Sequence, residues 1–225
     1  MAVRNAVGVL VGLLMTSQLI GEPYSGTVSS LDEFCASKSQ WRDRLLQQRR
    51  ALDERSRDAD DQRLHAQLAS WLGEQEMNAV AAYVPVGGEP GGELPAMLRA
   101  AGLRVLLPIV VDRASPLDWA EYTGPDSLRP ATYGLLEPAG RRLGTTAIAQ
   151  ADAVLVPALG VDHQGVRLGR GAGHSDRSLP LANPGAERIA VVRDVEFVTE
   201  LPGESHDVRM TGVITPGGGV ARLPV

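Results

Sequence analysis

The residues most able to do chemistry in this 225-residue chain stand in one glycine- and arginine-rich stretch, residues 161–179, which reads VDHQGVRLGRGAGHSDRSL. Glycines at every second position from 169 to 173 let consecutive backbone N–H groups turn toward one point, and they let an anion approach the main chain closely. Arg167, Arg170 and Arg177 supply permanently charged forks that suit phosphate oxygens. The stretch therefore predicts a cradle for a triphosphate.

An acidic residue follows the glycines. Asp176 ends the loop, where a carboxylate is well placed to hold a magnesium ion that also touches the phosphates. A plainer interpretation stays open, in which the stretch is a glycine-rich surface turn with solvated arginines. Two familiar phosphate motifs do not fit. The P-loop pattern is absent, and the glycine spacing, with Pro180 and Pro184 close behind, makes a poor dinucleotide fingerprint.

The elements that must position this stretch alternate between helices and apolar strands. Directly before it, the run AVLVPAL (153–159) is typical of a strand covered on both faces, and nucleotides bind beyond the carboxyl ends of such strands. The alternation predicts an α/β fold, namely a three-layer, Rossmann-like single domain whose mainly parallel sheet has helices on both faces. We expect helices at 37–52, 58–72 and 94–101, a helical turn at 146–151, strands at 79–84, 104–110, 117–122, 153–159 and 188–192, and a loose tail around 217–219.

The composition suits a compact cytoplasmic enzyme. With 44% apolar residues the chain can bury one good core, and its net charge of −5 argues against general affinity for nucleic acid. Cys35 is the only cysteine in the sequence, so no intrachain disulfide can form and a reducing compartment fits. We expect a monomer.

The first 36 residues form a segment with a different character. A basic start and the apolar run AVGVLVGLLM (6–15) superficially resemble a signal peptide. The run is too short to cross a bilayer comfortably, and polar residues follow it at once. We therefore expect residues 1–36 to be a disordered leader or the product of a mis-assigned start codon, followed by one domain over 37–225 that does not enter a membrane.

At this point the sequence resembles a known family. Residues 154–179 are similar to the signature of the 5-formyltetrahydrofolate cyclo-ligases, also called 5,10-methenyltetrahydrofolate synthetases, in which an apolar strand and Val-Pro precede Asp-x-x-Gly-x-Arg-Leu-Gly-x-Gly-x-Gly and a later Asp-Arg. The matching positions are Val156, Pro157, Asp162, Gly165, Arg167, Leu168, Gly169, Gly171, Gly173, Asp176 and Arg177. The resemblance runs in the family's order from about Ser37 to the end of the chain.

Further segments resemble the family outside the signature. They are KSQWR (38–42), AYVPVGGE (82–89), YGLLEP (133–138) and HDVRM (206–210). Each has a plainer interpretation: a solvated face of an amphipathic helix, an exposed acidic turn, an ordinary loop and a turn former. Their combination in the right order favours the functional interpretation.

The resemblance implies an ATP-dependent reaction on a folate. In that reaction 5-formyltetrahydrofolate is cyclised to 5,10-methenyltetrahydrofolate, with release of ADP and phosphate, through phosphorylation of the formyl oxygen. The implied partners are ATP and the folate, with Mg²⁺ as cofactor. The implied ATP-binding residues are Lys38, Arg42, Arg167, Leu168, Gly169, Arg170, Gly171, Ala172, Gly173, His174 and Ser175, of which Lys38, Arg167 and Arg170 are the catalytic candidates. The implied folate-binding residues are Val84, Glu89, Trp119, Tyr133 and His174, and the implied magnesium ligands are Asp176 and Asp207.

The chain departs from the family pattern at one place in the loop. The family has two aromatic residues before the aspartate, and this chain has His174 and Ser175. Histidine can still stack on a ring and adds a titratable donor, whereas serine can only hydrogen-bond. Two alternatives therefore stay open: a folate- or nucleotide-binding homologue with lost or altered catalysis, and another ATP-dependent phosphotransferase. An NAD(P)-dependent dehydrogenase ranks below both.

Overall fold

The computed structural model describes residues 36–205 and 207–224, and of residue 133 it describes the backbone only. The expected leader therefore lies outside the described residues except for Ala36. The helices are α1 (Lys38–Ala51), α2 (Glu54–Gly73), α3 (Leu94–Ala100) and α4 (His174–Ser178). The strands are β1 (Ala79–Ala81), β2 (Arg104–Ile109), β3 (Asp118–Glu121), β4 (Leu128–Pro130), β5 (Leu136–Pro138), β6 (Ala153–Pro157), β7 (Gly160–Asp162), β8 (Arg167–Leu168), β9 (Glu187–Val191), β10 (Phe197–Val198), β11 (Gly212–Thr215) and β12 (Gly219–Arg222).

The main sheet has the order β12-β11-β9-β6-β1-β2-β3. Its inner strands β11, β9, β6, β1 and β2 pair in parallel, while β12 and β3 pair antiparallel at the two edges. Counted along the chain, the parallel strands stand in the order 2-1-3-4-5, which is one of the common doubly wound arrangements. The strand order reverses between β1 and β6, and ligands bind in the crevice beside such a reversal.

Apolar side chains cover both faces of this sheet. On one face, Leu64 and Leu68 of α2 and Leu94 and Leu98 of α3 repeat at a spacing of four, so each pair points from one side of its helix onto the strands. On the other face, short 3₁₀ helices at Thr145–Gln150 and Leu179–Leu181 provide the cover. The predicted three-layer α/β fold is confirmed, although the helices of the second layer are short.

A small sheet carries the glycine-rich stretch and rests on α1. Its strand order is β10-β7-β8, and the apolar side chains of Trp41 and Leu45 from α1 pack against Leu159 and Leu168 beside it. Helix α1 begins with a capping box, in which Ser37 and Gln40 each bond the other's backbone N–H group. Cap and apolar contact together fix α1 alongside the stretch that was expected to bind phosphate.

The expected loose tail is wrong. Strands β11 and β12 form an antiparallel hairpin, with Gly212 opposite Arg222 and Thr215 opposite Gly219. The turn is held because the backbone N–H of Gly218 donates to the Thr215 hydroxyl at 2.9 Å. Glycines at 217–219 therefore serve a tight turn and do not mark a disordered end.

Candidate active site

A polar cleft of about 360 Å³ opens where the sheet order reverses. Pro157 at the carboxyl end of β6 and the adjoining Ala158 form its floor, and the chain leaving β1 brings in Glu89. Helix α1 forms one wall and the glycine-rich loop, residues 167–176, forms another. The cleft therefore lies at the position where doubly wound sheets bind their ligands.

The glycine-rich loop presents a buried arginine to the cleft. The side chain of Arg167, on β8, is 5% exposed, and its Nη2 lies 2.5 Å from Oδ1 of Asp176. A Cβ on Gly169 would lie 2.7 Å from Nη1 of Arg167, so only glycine leaves room for the guanidinium there. On the opposite wall, Nε of Arg42 donates to the carbonyl oxygen of Gly169 at 2.9 Å and ties α1 to the loop.

A second arginine bridges the cleft. Nε of Arg170 donates to Oε1 of Glu89 at 3.0 Å, and its Nη2 donates to the carbonyl oxygen of Val86 at 3.1 Å. The other carboxylate oxygen of Glu89 accepts the backbone N–H of Val86. The loop expected to bind phosphate and the turn expected to bind the pterin thus touch each other directly.

At the amino end of α1, a lysine lies between two carboxylates. Nζ of Lys38 is 3.0 Å from Oδ2 of Asp207 and 3.0 Å from Oε1 of Glu204. Partial burial disfavours the ammonium charge, but hydrogen bonds and charge attraction from Asp207 and Glu204 outweigh that effect and raise the pKa of Lys38 above its ordinary value. Lys38 is fully charged at neutral pH and faces the same cleft as the glycine-rich loop.

The end of the loop is shaped by a third arginine. Gly173 has a φ of +72°, and its position next to Arg177 leaves no room for a Cβ, which would lie 2.6 Å from Nη1. The guanidinium of Arg177 donates to the carbonyl oxygens of Ser115, Arg113 and Ala172. Arg177 therefore braces the loop from behind and does not line the cleft.

His174 begins α4 and lines the cleft beside Ser175. Desolvation, followed by the positive charge of Arg177, lowers the pKa of His174 below its ordinary value. The imidazole is therefore neutral at pH 7. A neutral ring can stack on a heterocycle and offers one donor and one acceptor nitrogen.

Most of the predicted site residues meet at this cleft. Besides the residues described above, Leu168, Gly171 and Ala172 line it. Val84 follows β1 and packs against the core face formed by α2 and α3. Trp119 is 3% exposed and packs into the opposite face of the sheet, so the structure does not bring it to the cleft. The side chain of Tyr133 lies outside the described residues.

The predicted magnesium ligands, Asp176 and Asp207, line the same cleft, each paired with a cation. Among the residues that the structure describes, no group of three or more His, Cys, Asp and Glu side chains could hold a metal. Magnesium usually takes one or two carboxylates, several waters and substrate phosphates, and does not require an all-protein cage. Two carboxylates beside a phosphate cradle fit that donor set.

Sequence reasoning missed two buried residues, one that lines the cleft and one that supports the loop. Arg49 lines it from α1, and helical spacing could have found it, because positions 38, 42 and 49 fall within about 40° on one helix face. Asp162 is 1% exposed and accepts three backbone N–H groups, so its place in the family pattern reflects support of the loop. No local pattern distinguishes such a support from a ligand.

In the described part of the chain, no helix is both long and apolar enough to cross a membrane.

Comparisons with known proteins point to one family. The model of the 5-formyltetrahydrofolate cyclo-ligase family matches residues 35–216. A 5-formyltetrahydrofolate cyclo-ligase of Mycolicibacterium smegmatis is 46% identical over 194 residues, covering 83% of this chain and 97% of the relative. The enzyme of that name from Escherichia coli is 26% identical over 175 residues, covering 76% and 96%.

Solved structures show the same fold. The NMR structure of Aquifex aeolicus 5,10-methenyltetrahydrofolate synthetase superposes with a TM-score of 0.71 at 25% identity, covering 84% of this chain and 93% of that one. The 5,10-methenyltetrahydrofolate synthetase from Mycoplasma pneumoniae has a TM-score of 0.65 at 19% identity, covering 79% and 98%.

Proposed function

The chain belongs to the 5-formyltetrahydrofolate cyclo-ligase family, and on that basis we propose that it uses ATP to cyclise 5-formyltetrahydrofolate to 5,10-methenyltetrahydrofolate. The observation that carries the proposal is the contact between Arg170 and Glu89 at 3.0 Å. It joins the loop suited to phosphates and the turn suited to a pterin in one cleft. Two substrates that bind on either side of this contact would share one cleft.

The chemical problem is that the formyl carbon is a weak electrophile and the formyl oxygen is a poor leaving group. Transfer of the γ-phosphoryl group to the formyl oxygen releases ADP and gives an iminium phosphate. N10 of the same folate then forms a bond to the formyl carbon and loses its proton, and the C–O bond breaks to release phosphate. These steps require positioning and charge stabilisation from the protein, and no covalent nucleophile.

The cationic side chains of the cleft suit these steps. Lys38, Arg42, Arg167 and Arg170 would hold the triphosphate, since they approach it from two opposite walls. Asp176 and Asp207 would hold Mg²⁺, which when bound neutralises charge that develops on the phosphates. Glu89 would orient the pterin through its carboxylate, which is 10% exposed and bonded to Arg170.

The proposal is tested by a spectrophotometric assay of the purified protein. We expect the near-ultraviolet band of the methenyl product to appear with 5-formyltetrahydrofolate, Mg²⁺ and ATP, and to be absent when ATP or Mg²⁺ is left out. ADP released per methenyl formed should be one. A folded protein that binds ATP and forms no product would contradict the proposal. It would favour the binding homologue, and the replacement of the family's aromatic pair by His174 and Ser175 would then account for the lost catalysis.

The same assay separates the remaining alternative. A different phosphotransferase would release ADP without forming the methenyl band, and only when another acceptor is supplied. ADP and the band measured together, first with 5-formyltetrahydrofolate and then with other acceptors added, therefore assign the protein to one of the three activities.

A further inference from the structure

Arg49 lies at the cleft but has no part in the function proposed above. Its side chain is 2% exposed, yet it belongs to the wall that α1 gives to the cleft. Burial of a permanently charged group is expensive unless its donors are matched by acceptors. The hydrogen-bond partner of each Arg49 donor therefore bears on the role of this side chain.

Two of the three guanidinium nitrogens of Arg49 have hydrogen-bond partners. Nε and Nη2 bond the two carboxylate oxygens of Glu196, with the second bond at 2.7 Å, and Nη2 also donates to the carbonyl oxygen of Ala158. Nη1 is buried and has no hydrogen-bond partner among the described residues. A buried donor without an acceptor destabilises a fold by about 1–3 kcal/mol, and more when it carries charge. The vacant donor of Arg49 thus requires an explanation.

Other buried donors without partners differ from this one. The indole N–H of Trp119 and the Nε groups of Arg57 and Arg193 belong to side chains that do not line the cleft. Arg167 lines it and is already assigned to phosphate. Among the described residues, Arg49 is therefore the cleft-lining arginine whose free donor has no assigned ligand.

The location of Arg49 indicates which substrate it meets. It lies seven positions after Arg42 on the same helix face, about 10 Å along the axis from the side chain that bonds the carbonyl of Gly169. It bonds the carbonyl of Ala158, just beyond the carboxyl end of β6, and is close enough to Glu89 to feel its charge. Arg49 therefore stands at the Glu89 end of the cleft, where the folate and not the triphosphate is expected.

We propose that Arg49 is a substrate-binding residue whose Nη1 donates a hydrogen bond to an oxygen of the folate, either the pterin carbonyl or the formyl oxygen. The inference rests on the proposed function, because it takes the folate to bind beside Glu89. The bonds to Glu196 and the Ala158 carbonyl hold the other two nitrogens of the guanidinium, so the position of Nη1 is fixed by the fold. A prealigned donor loses little freedom when the ligand arrives.

The test compares Arg49→Lys with a matched control, Glu196→Gln. The lysine keeps the positive charge next to Glu196 but has no second guanidinium nitrogen to reach the ligand. The control weakens the same buried pair and leaves Nη1 in place. For Arg49→Lys we expect an equilibrium dissociation constant for 5-formyltetrahydrofolate raised about 10- to 100-fold, as for loss of a charged hydrogen bond, with the affinity for a non-hydrolysable ATP analogue within about twofold of wild type.

Two folates distinguish the acceptors. 5-Methyltetrahydrofolate lacks the formyl oxygen, so a loss of affinity confined to 5-formyltetrahydrofolate assigns the bond to that oxygen. An equal loss for both assigns it to the pterin carbonyl. Either outcome supports the proposal.

Other outcomes overturn it. Unchanged folate affinity in Arg49→Lys would do so, and so would an equal loss in Glu196→Gln, which would show that only the buried pair matters. If thermal unfolding shows that the lysine variant does not fold, the double variant Arg49→Met, Glu196→Met keeps an apolar filling at the same place and must show the same loss. Failure of the proposed function is distinguishable, because wild-type protein would then form no methenyl product, whether or not it binds 5-formyltetrahydrofolate.

Discussion

At the scale of single residues, Arg167 combines burial with contact to the cleft. Its guanidinium is held by Asp176 and by the space that Gly169 leaves, so it is aligned before any ligand arrives. Prealigned charge of this kind stabilises a transition state by about 2–4 kcal/mol per donor. Arg167→Ala should therefore raise the activation free energy calculated from kcat/KM by that amount, and kcat/KM is measured with the methenyl assay. Arg141→Ala, at an exposed position, is the control, and near-normal turnover of Arg167→Ala would refute the assignment.

His174 gives a prediction about pH. Because desolvation and Arg177 lower its pKa, the unfolded chain binds a proton here more readily than the folded protein does. The contribution of His174 to stability is therefore present above its ordinary pKa of about 6.5, and it is lost as the pH falls from there toward the folded value. An NMR titration should show the His174 imidazole titrating below 6.5, with His174→Phe used to assign the signal. A titration at or above 6.5 would contradict the prediction.

The residues of the loop could be predicted because glycine and arginine act there through intrinsic properties, namely backbone freedom and fixed charge. Trp119 shows the limit of that reasoning. It stands on β3, and a strand sends alternate side chains to opposite faces, so sequence alone leaves open which face it joins. The structure pairs it with Pro108 of β2 and packs it in the core. Arg49 shares a helix face with Lys38 and Arg42, so spacing could have placed it at the cleft, but its buried pairing with Glu196, 147 positions away, has no local signal.

At the scale of elements, the shape of the glycine-rich loop depends on backbone conformation at Gly173. Gly173→Ala should cost about 1–2 kcal/mol for the left-handed conformation, and its Cβ should displace Arg177. Gly102→Ala is the matched control, because Gly102 has a φ of +87° with nothing within 4 Å of the added Cβ. Urea unfolding should show a lower free energy of unfolding in both variants. Calorimetry should show a weaker affinity for ATP in Gly173→Ala alone. Equal ATP affinity in Gly173→Ala and Gly102→Ala would contradict a role of the Gly173 conformation in shaping the ATP site.

Elements were predictable where their signals are local. The apolar repeats of α2 and α3 and the apolar run of β6 lie close to their expected bounds. Pro180 stops α4 after five residues, as its position predicts. The β11–β12 hairpin was missed because its glycines are equally typical of a turn and of a loose end, and only pairing with a distant strand decides between them.

At the scale of the whole molecule, Asp162 joins the small sheet to the segment that leads to Glu204 and Asp207. Its carboxylate accepts the backbone N–H groups of Gln164, Val166 and Leu201. Asp162→Asn replaces one acceptor by a donor and leaves a buried N–H unmatched, so the free energy of unfolding should fall by about 1–3 kcal/mol. Asp43→Asn, at an exposed position, should change it by less than about 0.5 kcal/mol. Urea titration measures both, and a similar stability for the two variants would contradict this role.

The overall architecture was predictable as a class, since alternating helices and apolar strands permit few arrangements. The strand order was not, because it depends on which crossovers pack best over the whole sheet. That order places the end of β1, with the turn at Glu89, beside the end of β6 and the glycine-rich loop. The two binding regions are separated by 81 positions in the chain and become neighbours only through this arrangement.

Under the proposed function, the bridge between Arg170 and Glu89 would make the two substrates thermodynamically dependent on each other. A phosphate that takes Arg170 leaves the Glu89 carboxylate without its partner, and a pterin that takes Glu89 releases the arginine. Whichever of these ligands bound first would break the ion pair, and the second would bind without that cost. By reciprocity each affinity would rise by the same factor. A pair this exposed supports about a two- to fivefold effect. Titrating an ATP analogue with and without folate should show it, and Glu89→Gln should abolish it.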